Sequence, residues 1–327
     1  MADILDVLLL LALPASGKSE VRRYLASLTP EQCRDDFHMG PTVQLDDYPY
    51  VHMMRRVSQE LRKVGADGVF FDSDDLPMKE SLDWGTLIEL LNEDFEDLER
   101  RHRPAPASAA EWLLDRFDLA RQKAGARPAF GALPAPTRAG LIAALEKESA
   151  DLLRDKNAGI PETLAGRTVV IEAARGGPDG ATMPLPAPLG YGYSLRKMSD
   201  AILSRASILY VWVTPEESRR KNTERTDPND PGSILHHGVP MAVMLGDYGC
   251  DDMDWLIRQS DRPDTVSIAT HGSTYHLPVA RFDNRVDKTT FVRADRAAWK
   301  PADIQALHQG LAGAFGKLAR AEAPRSA

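Results

Sequence analysis

The sequence predicts an α/β fold built around a mostly parallel sheet. Apolar runs of strand length alternate along the chain with stretches whose apolar residues recur at helical spacing. The first apolar run, from Val7 to Leu13, has no polar interruption, which is typical of a strand buried on both faces of a parallel sheet. The 327 residues, 43% of them apolar and 27% charged, suit about two globular domains or one domain with a large insertion.

Charge and cysteine content narrow the class of protein. The net charge of −8 disfavours a nucleic-acid or membrane-surface binder. Cys33 and Cys250 lie far apart and form neither a disulfide framework nor a zinc ligand set, which fits a reducing compartment. The run at 7–13 is too short to span a bilayer, and Asp3 and Asp6 precede it without any Lys or Arg. We therefore expect a cytoplasmic protein that does not enter a membrane.

In the first 160 residues, apolar runs predict the strands and helical spacing predicts the helices. Polar and Pro-rich stretches at 103–108 and 131–137 have the composition of linkers. A short apolar run over 69–71 ends at an acidic cluster. The predicted elements are strands over 7–13 and 42–45, helices over 20–28, 51–64 and 87–98, and two further helices around Trp112 and Leu145.

The remaining residues continue the alternation of strands and helices. A Gly- and Pro-rich loop spans 176–193, and residues 226–277 carry no clear pattern. Strands are predicted over 168–171, 208–213 and 278–282, with an additional one over 290–292, and helices over 195–202, 215–225 and 304–318. We expect a core of residues 1–99 and 161–320, a helical insertion over 100–160, a lid with an irregular insertion over 214–277, and a frayed tail over 321–327.

The most specific motif in the chain is Ala-Leu-Pro-Ala-Ser-Gly-Lys-Ser at 12–19. It matches the Walker A pattern except that Ala12 replaces the first glycine, and it lies between a predicted buried strand and a predicted helix. Backbone N–H groups of such a loop converge on phosphate oxygens, the lysine meets the β- and γ-phosphates, and the hydroxyl ligates Mg²⁺. The predicted phosphate-binding residues are Pro14, Ala15, Ser16, Gly17, Lys18 and Ser19.

The segment 13–19 resembles the loop of the P-loop kinase group, which includes nucleoside, nucleotide and other small-molecule kinases. The resemblance implies a three-layer P-loop NTPase fold with a five-stranded parallel core. It also implies ATP and Mg²⁺ as phosphoryl donor and cofactor, an acceptor site facing the loop, and an arginine-bearing lid. Only the loop is specific to the group; the rest of the chain agrees in the order and spacing of its elements.

A second acidic strand end supports the same resemblance. The strand over 168–171 is followed by Glu172, and Arg175 lies three residues later. In the kinase group a carboxylate at this place orients Mg²⁺, in some cases through water, or takes the acceptor proton, and a nearby arginine holds the acceptor. Glu172 is therefore a candidate metal ligand or base, with Ser19 as the other metal ligand. The alternative is a carboxylate that caps the next element.

Asp46 and Asp47 end another predicted strand. Ligands bind at the carboxyl ends of strands in open α/β sheets, and the resemblance implies that such a carboxylate binds the acceptor hydroxyl. An acidic cluster that includes Asp72, Asp74 and Asp75 competes for this role. Acidic residues after strands are also common in turns and helix caps, so both roles stay open.

The cations after the strand over 208–213 resemble the lid of the group, whose arginines stabilise the transferring phosphoryl group. They are Arg219, Arg220 and Arg225. The alternative is a solvated helix, because three glutamates in the same segment balance the charge. Asn284 follows the last predicted sheet strand, where the loop of the kinase group packs on adenine. Tyr191 and Tyr193, in the loop at 176–193, are candidates to line an acceptor pocket, and the alternative is a crossover loop with rigid turns.

These features predict an ATP-dependent phosphotransferase that acts on a hydroxyl or phosphate of a small molecule, with a nucleoside-like acceptor favoured. The predicted catalytic residues are Lys18, Asp46, Glu172, Arg175, Arg220 and Arg225. Two alternatives stay open: a nucleotide-dependent switch or ATPase that acts on a protein, and a polynucleotide 5′-hydroxyl kinase. A deep pocket beside the loop lined by Asp46, Arg175 and Tyr191 would favour the kinase, whereas a flat apolar surface on the insertion would favour the switch.

Overall fold

The computed structural model describes residues 4–225 and 238–322. The predicted tail beyond 322 and the part of the predicted lid at 226–237 lie outside these residues. The strands are β1 (Val7–Leu11), β2 (Thr42–Asp46), β3 (Thr168–Ala173), β4 (Ala206–Trp212), β5 (Thr265–Thr270) and β6 (Ser273–Asp283). The helices are α1 (Lys18–Ala26), α2 (Pro30–Phe37), α3 (Tyr48–Lys63), α4 (Asp83–Arg100), α5 (Ala109–Ala124), α6 (Ala135–Ala158), α7 (Gly190–Lys197), α8 (Asp200–Leu203), α9 (Pro215–Arg225), α10 (Met241–Gly246), α11 (Met253–Gln259) and α12 (Pro301–Glu322).

The six strands form one sheet in the order β2-β3-β1-β4-β6-β5. The first five strands of this order are mutually parallel, and β5 adds to the edge as an antiparallel partner of β6. The prediction of an α/β fold with a mostly parallel sheet is confirmed. Because parallel strands point the same way, the carboxyl ends of β1, β2, β3, β4 and β6 meet at one edge of the sheet.

Each face of the sheet has its own apolar core, as the alternation of side chains along β1 requires. Leu9 faces a core shared with α4, α7, α8 and α11. Leu8 and Leu10 face the opposite core, which α1, α2 and α12 close. The architecture is therefore a sheet between two helical layers, with β1 buried along its whole length.

A third core lies among α3, α4, α5 and α6. Helix α4 joins it to the sheet, because Ile88 and Leu91 pack in the sheet core while Leu87 and Leu90 pack in the helical core. The residues expected to form a helical insertion at 100–160 contain α5 and α6. These helices also pack against α3 and α4, which precede the expected insertion.

Several predicted elements differ from the observed ones. Residues 290–293 form a 3₁₀ helix and not an additional strand. The described part of the segment expected to be irregular contains α10, α11 and β5. The apolar run at 69–71 forms no strand; the backbone amides of Phe70 and Phe71 donate to the hydroxyl of Ser58. Each of these short segments is decided by contacts with distant residues, which local periodicity does not report.

No helix within the described residues is both long enough and apolar enough to cross a lipid bilayer.

A buried ion pair secures the helical layer and supplies a test of its packing. Arg116 on α5 donates to Asp94 at 2.9 Å, to the Tyr50 hydroxyl at 3.0 Å and to Glu93 at 3.1 Å. We expect Arg116→Ala to lower the free energy of unfolding by about 3 kcal/mol, because it removes a buried cation that neutralises the Asp94 and Glu93 carboxylates. Urea unfolding would measure this loss.

The control is Arg138→Ala, which removes an arginine whose partners lie on the exposed surface of the same layer. It should change the free energy of unfolding by no more than about 1 kcal/mol. Equal losses in the two variants would contradict the structural role of Arg116.

Candidate functional site

The turn between β1 and α1 has a backbone suited to an anion. Ala15 has φ of 56° and Gly17 has φ of 107°, so both residues adopt left-handed conformations, and α1 begins at the next residue. The amide N–H groups of Ala15, Ser16, Gly17 and Ser19 have no acceptor among the described parts of the chain. Unpaired amides at a helix N-terminus, together with the helix dipole, favour a negatively charged ligand.

Side chains from two distant elements hold this loop in place. The Asn284 amide, at the end of β6, donates to the Ser16 carbonyl at 2.8 Å and to the Thr289 hydroxyl at 2.9 Å. Ser218 on α9 donates to the Pro14 carbonyl at 2.7 Å. The loop is therefore supported by residues that follow β4 and β6, at the same edge of the sheet.

Lys18 folds back over the loop that precedes it. Its ammonium donates to the carbonyl of Ala12 at 3.1 Å, and the same residue lines the neighbouring cavity. Ala12 itself is fully buried, so its methyl group is accommodated where the sequence pattern has glycine. The loop thus keeps a lysine beside its unpaired amides.

Two carboxylates meet beside the loop at the ends of β2 and β3. Asp46 is the register partner of Glu172, and Arg22 of α1 reaches both. Its Nη1 atom lies 2.9 Å from Glu172 Oε1, in an ion pair without hydrogen-bond alignment, and 3.7 Å from Asp46 Oδ2. Burial, followed by repulsion from Glu172 and Asp47, raises the pKa of Asp46 to about 7. This carboxyl group can therefore exchange a proton near neutral pH.

Asp47 and Arg175 form a buried ion pair beside the cavity. The Arg175 guanidinium is 2% exposed, and it donates to Asp47 and to the Ser194 hydroxyl. It also lies 5.1 Å from the ring of Trp84. Asp47 and Trp84 line the cavity beside the loop, whereas Arg175 lies behind them and is absent from its lining. Arg175 thus fixes the wall of the cavity.

A cavity of about 530 Å³ opens beside the loop. Its floor comprises residues 13–20 together with the strand ends at 46–47 and 172–174, and one face of α3 forms a wall. The remaining wall includes Phe71, Trp84, residues 238–240, Val243, Asp247 and Tyr248. The volume suits a small molecule, and the mixture of aromatic, cationic and acidic groups is typical of a ligand pocket.

The other predicted site residues lie away from this cavity. Arg220 is exposed and paired with Glu217 and Glu224, and the side chain of Arg225 lies outside the described residues. Arg219 pairs with Asp179 at 3.1 Å. Asp72, Tyr191 and Tyr193 also do not line the cavity, whereas Asp74 and Asp75 do.

Sequence analysis missed Arg22, Arg55 and Ser218. Arg22 lies three residues after Ser19 and four residues after Lys18. Helical spacing therefore places it on the loop side of α1, and this signal would have identified it. Arg55 and Ser218 had no such signal, because each reaches the site through packing between elements distant in sequence. Lys221, part of the predicted lid segment, is 1% exposed and pairs with Asp287 at 3.0 Å.

The donor set is compatible with magnesium and not with a metal site built wholly of protein ligands. Among the described residues, no group of three or more His, Cys, Asp and Glu side chains could hold a metal ion. Mg²⁺ commonly takes one or two protein oxygens and completes its shell with water and phosphate oxygens. Ser19 and Glu172, the metal ligands expected from the sequence, both line the cavity.

No match was found when the chain was compared with protein-family models, with curated proteins and with solved structures.

Gly17 offers a direct test of the loop geometry. A Cβ atom at this position would lie 2.6 Å from the Thr289 hydroxyl and 2.8 Å from the Asn284 amide nitrogen. We expect Gly17→Ala to lower the free energy of unfolding by about 3 kcal/mol, because a positive φ and a displaced amide both cost energy. Urea unfolding measures the change.

Gly125→Ala is the matched control. Gly125 has φ of 95°, and a Cβ atom there would meet nothing within 4 Å. This variant should therefore show only the conformational cost of about 1 kcal/mol. Equal losses in the two glycine variants would show that Asn284 and Thr289 do not press on the loop.

Proposed function

We propose that the protein is an ATP-dependent phosphotransferase that moves the γ-phosphoryl group of ATP to a hydroxyl or phosphate of a small molecule. The observation that carries the proposal is the loop of unpaired amides and Lys18, which shares one cavity of about 530 Å³ with Asp46 and Glu172. Phosphoryl transfer requires cations and oriented amides for the donor and a carboxylate beside the acceptor, and little other chemistry.

The loop is the proposed site of the donor. The amides of Ala15, Ser16 and Gly17 would bind phosphate oxygens, and the Lys18 ammonium would leave the Ala12 carbonyl to meet the β- and γ-phosphates. Ser19 and Glu172 would hold Mg²⁺. When bound, this ion neutralises charge on the phosphates.

Asp46 is the proposed base on the acceptor side. It would take the proton of the acceptor hydroxyl while the acceptor oxygen forms its bond to the γ-phosphorus and ADP departs with the electrons of the broken P–O bond. A pKa of about 7 suits this task, since the ideal base titrates near the working pH. Asp47 is less suited because Arg175 occupies its carboxylate.

The switch alternative lacks a supporting observation. Among the large hydrophobic side chains of the described helices α5 and α6, Leu119 is exposed by 48%, and the others are at least partly buried. A single exposed leucine is ordinary on a monomeric surface and does not make a flat apolar docking face. The kinase proposal is therefore preferred, although Arg175 and Tyr191 do not line the pocket as expected.

The test of the proposal is ADP release from ATP and Mg²⁺ in the presence of pooled small-molecule acceptors. One pool should accelerate release by the wild type. Lys18→Ala should reduce the rate by about 100-fold or more, because it removes a cation that neutralises charge in the transition state. Lys147→Ala removes an exposed lysine on α6 and should leave the rate unchanged. Equal rates in wild type and Lys18→Ala would contradict the assignment.

The base predicts a pH dependence with a defined sign. Asp46 must be ionised to accept a proton, so kcat/KM should fall about tenfold per pH unit below pH 7 and level off above it. Asp46→Asn should lose most of the activity together with this acidic limb. Asp72→Asn, which alters an exposed carboxylate outside the cavity, should retain both. An unchanged acidic limb in Asp46→Asn would exclude Asp46 as the titrating base.

A further inference from the structure

The wall of the cavity formed by α3 carries two arginines with different surroundings. The residues of α3 that line the cavity recur at intervals of three and one, so they form a single face of the helix: Tyr48, Val51, His52, Arg55, Arg56 and Gln59. Arg56 is neutralised within the protein, because it binds Glu148 at 2.9 Å and Glu60 at 2.8 Å. Arg55, one residue earlier, has no carboxylate within 4.0 Å among the described residues.

The contacts of Arg55 are with a backbone carbonyl and an aromatic ring. Its Nη1 atom donates to the Asp74 carbonyl at 2.6 Å, and its guanidinium lies 4.0 Å from the centre of the Phe71 ring. Burial lowers its pKa, which is the direction expected for a cation that loses hydration. The guanidinium is thus held in place with its positive charge uncompensated by an ion pair.

The charges of Asp74 and Asp247 act on Arg55 and favour its charged form, although neither carboxylate forms an ion pair with it within 4.0 Å. The Asp74 carboxylate binds Arg62 at 3.0 Å and the Gln59 amide at 2.7 Å. The Asp247 carboxylate accepts the Met78 amide at 3.1 Å. Each of these carboxylates has a hydrogen-bond partner other than Arg55, so the planar donors of the Arg55 guanidinium are able to bind a carboxylate or a phosphate of a ligand.

The lining of the cavity also includes two aromatic side chains. Trp84 and Tyr248 line the cavity and contact each other edge to face, with ring centroids 5.6 Å apart. Along α3, the seven residues from Tyr48 to Arg55 advance roughly 10 Å. A ligand of about this length would reach from the carboxylates at the strand ends to the guanidinium.

We infer that the acceptor is an anionic small molecule whose phosphate or carboxylate binds Arg55 and whose apolar or planar body packs against Trp84 and Tyr248. Its reacting group would lie about 10 Å away, beside Asp46. The role as an acceptor rests on the proposed phosphotransferase function. The binding site for the anion does not depend on that function and can be tested separately.

The test is calorimetric titration of the full chain with phenyl phosphate, benzoate, benzamide and benzylamine, without nucleotide. Phenyl phosphate, benzoate or both should bind, whereas neutral benzamide and cationic benzylamine should bind at least roughly 10-fold more weakly. Arg55→Gln should weaken the anionic probe roughly 10-fold or more, and Arg55→Lys should weaken it less because it keeps the charge. A preference for phenyl phosphate or benzoate identifies the anionic group.

Two further variants separate this site from the loop and from net charge. Lys18→Ala removes the cation of the loop and should retain the part of the anion binding that Arg55→Gln abolishes, because the proposed anion site lies on α3 and not on the loop. Arg154→Gln removes an exposed cation on α6 and should also retain it. Thermal unfolding of each variant checks that it is folded. If Arg55→Gln does not fold, Arg55→Lys, which keeps the charge, replaces it in the comparison.

Three outcomes would overturn the inference. They are failure of both anions to bind the wild type, preferential binding of benzylamine, and loss of anion binding in Lys18→Ala but not in Arg55→Gln. Failure of the phosphotransferase proposal has a different signature. In that case ATP hydrolysis and transfer would be absent, whereas the selective effect of Arg55→Gln on anion binding would persist.

Discussion

The turn from β1 into α1 is the constraint on which the candidate site depends. Two left-handed residues, Ala15 and Gly17, reverse the chain within a few positions and leave amides without protein acceptors. Non-glycine residues adopt such a conformation at a cost of about 1 kcal/mol, so the surrounding structure must hold it. Asn284, in the segment after β6, and Ser218, on the helix α9 that follows β4, provide this support.

Parallel strands bring acidic groups to the same edge of the sheet. Asp46 and Glu172 are register partners, and their repulsion is moderated by Arg22 from the helix that follows the loop. Partial burial and like charge together favour the neutral form of Asp46, which keeps its proton exchange close to neutral pH. The parallel pairing of β2 with β3, which brings Glu172 beside Asp46, thus contributes to the raised pKa of Asp46.

The helical layer determines the shape of the cavity. Helix α3 begins directly after the end of β2, so one of its faces continues outward from the carboxylates. Arg116 and Arg121, both buried among carboxylates, help to hold α5 against α4, and α6 packs in turn against α3 and α5. The cavity wall is therefore positioned in part by Arg116 and Arg121, which do not line the cavity themselves.

The sequence alone determined the alternation of strands and helices, the buried first strand and the loop at 12–19, because these depend on local periodicity and spacing. It also placed Asp46 and Glu172 at strand ends. Only the tertiary structure decided that Arg175 binds Asp47 and that Arg55 faces the cavity without an ion pair. A guanidinium can reach any of several carboxylates, and the choice among them depends on how distant helices pack, which no local pattern records.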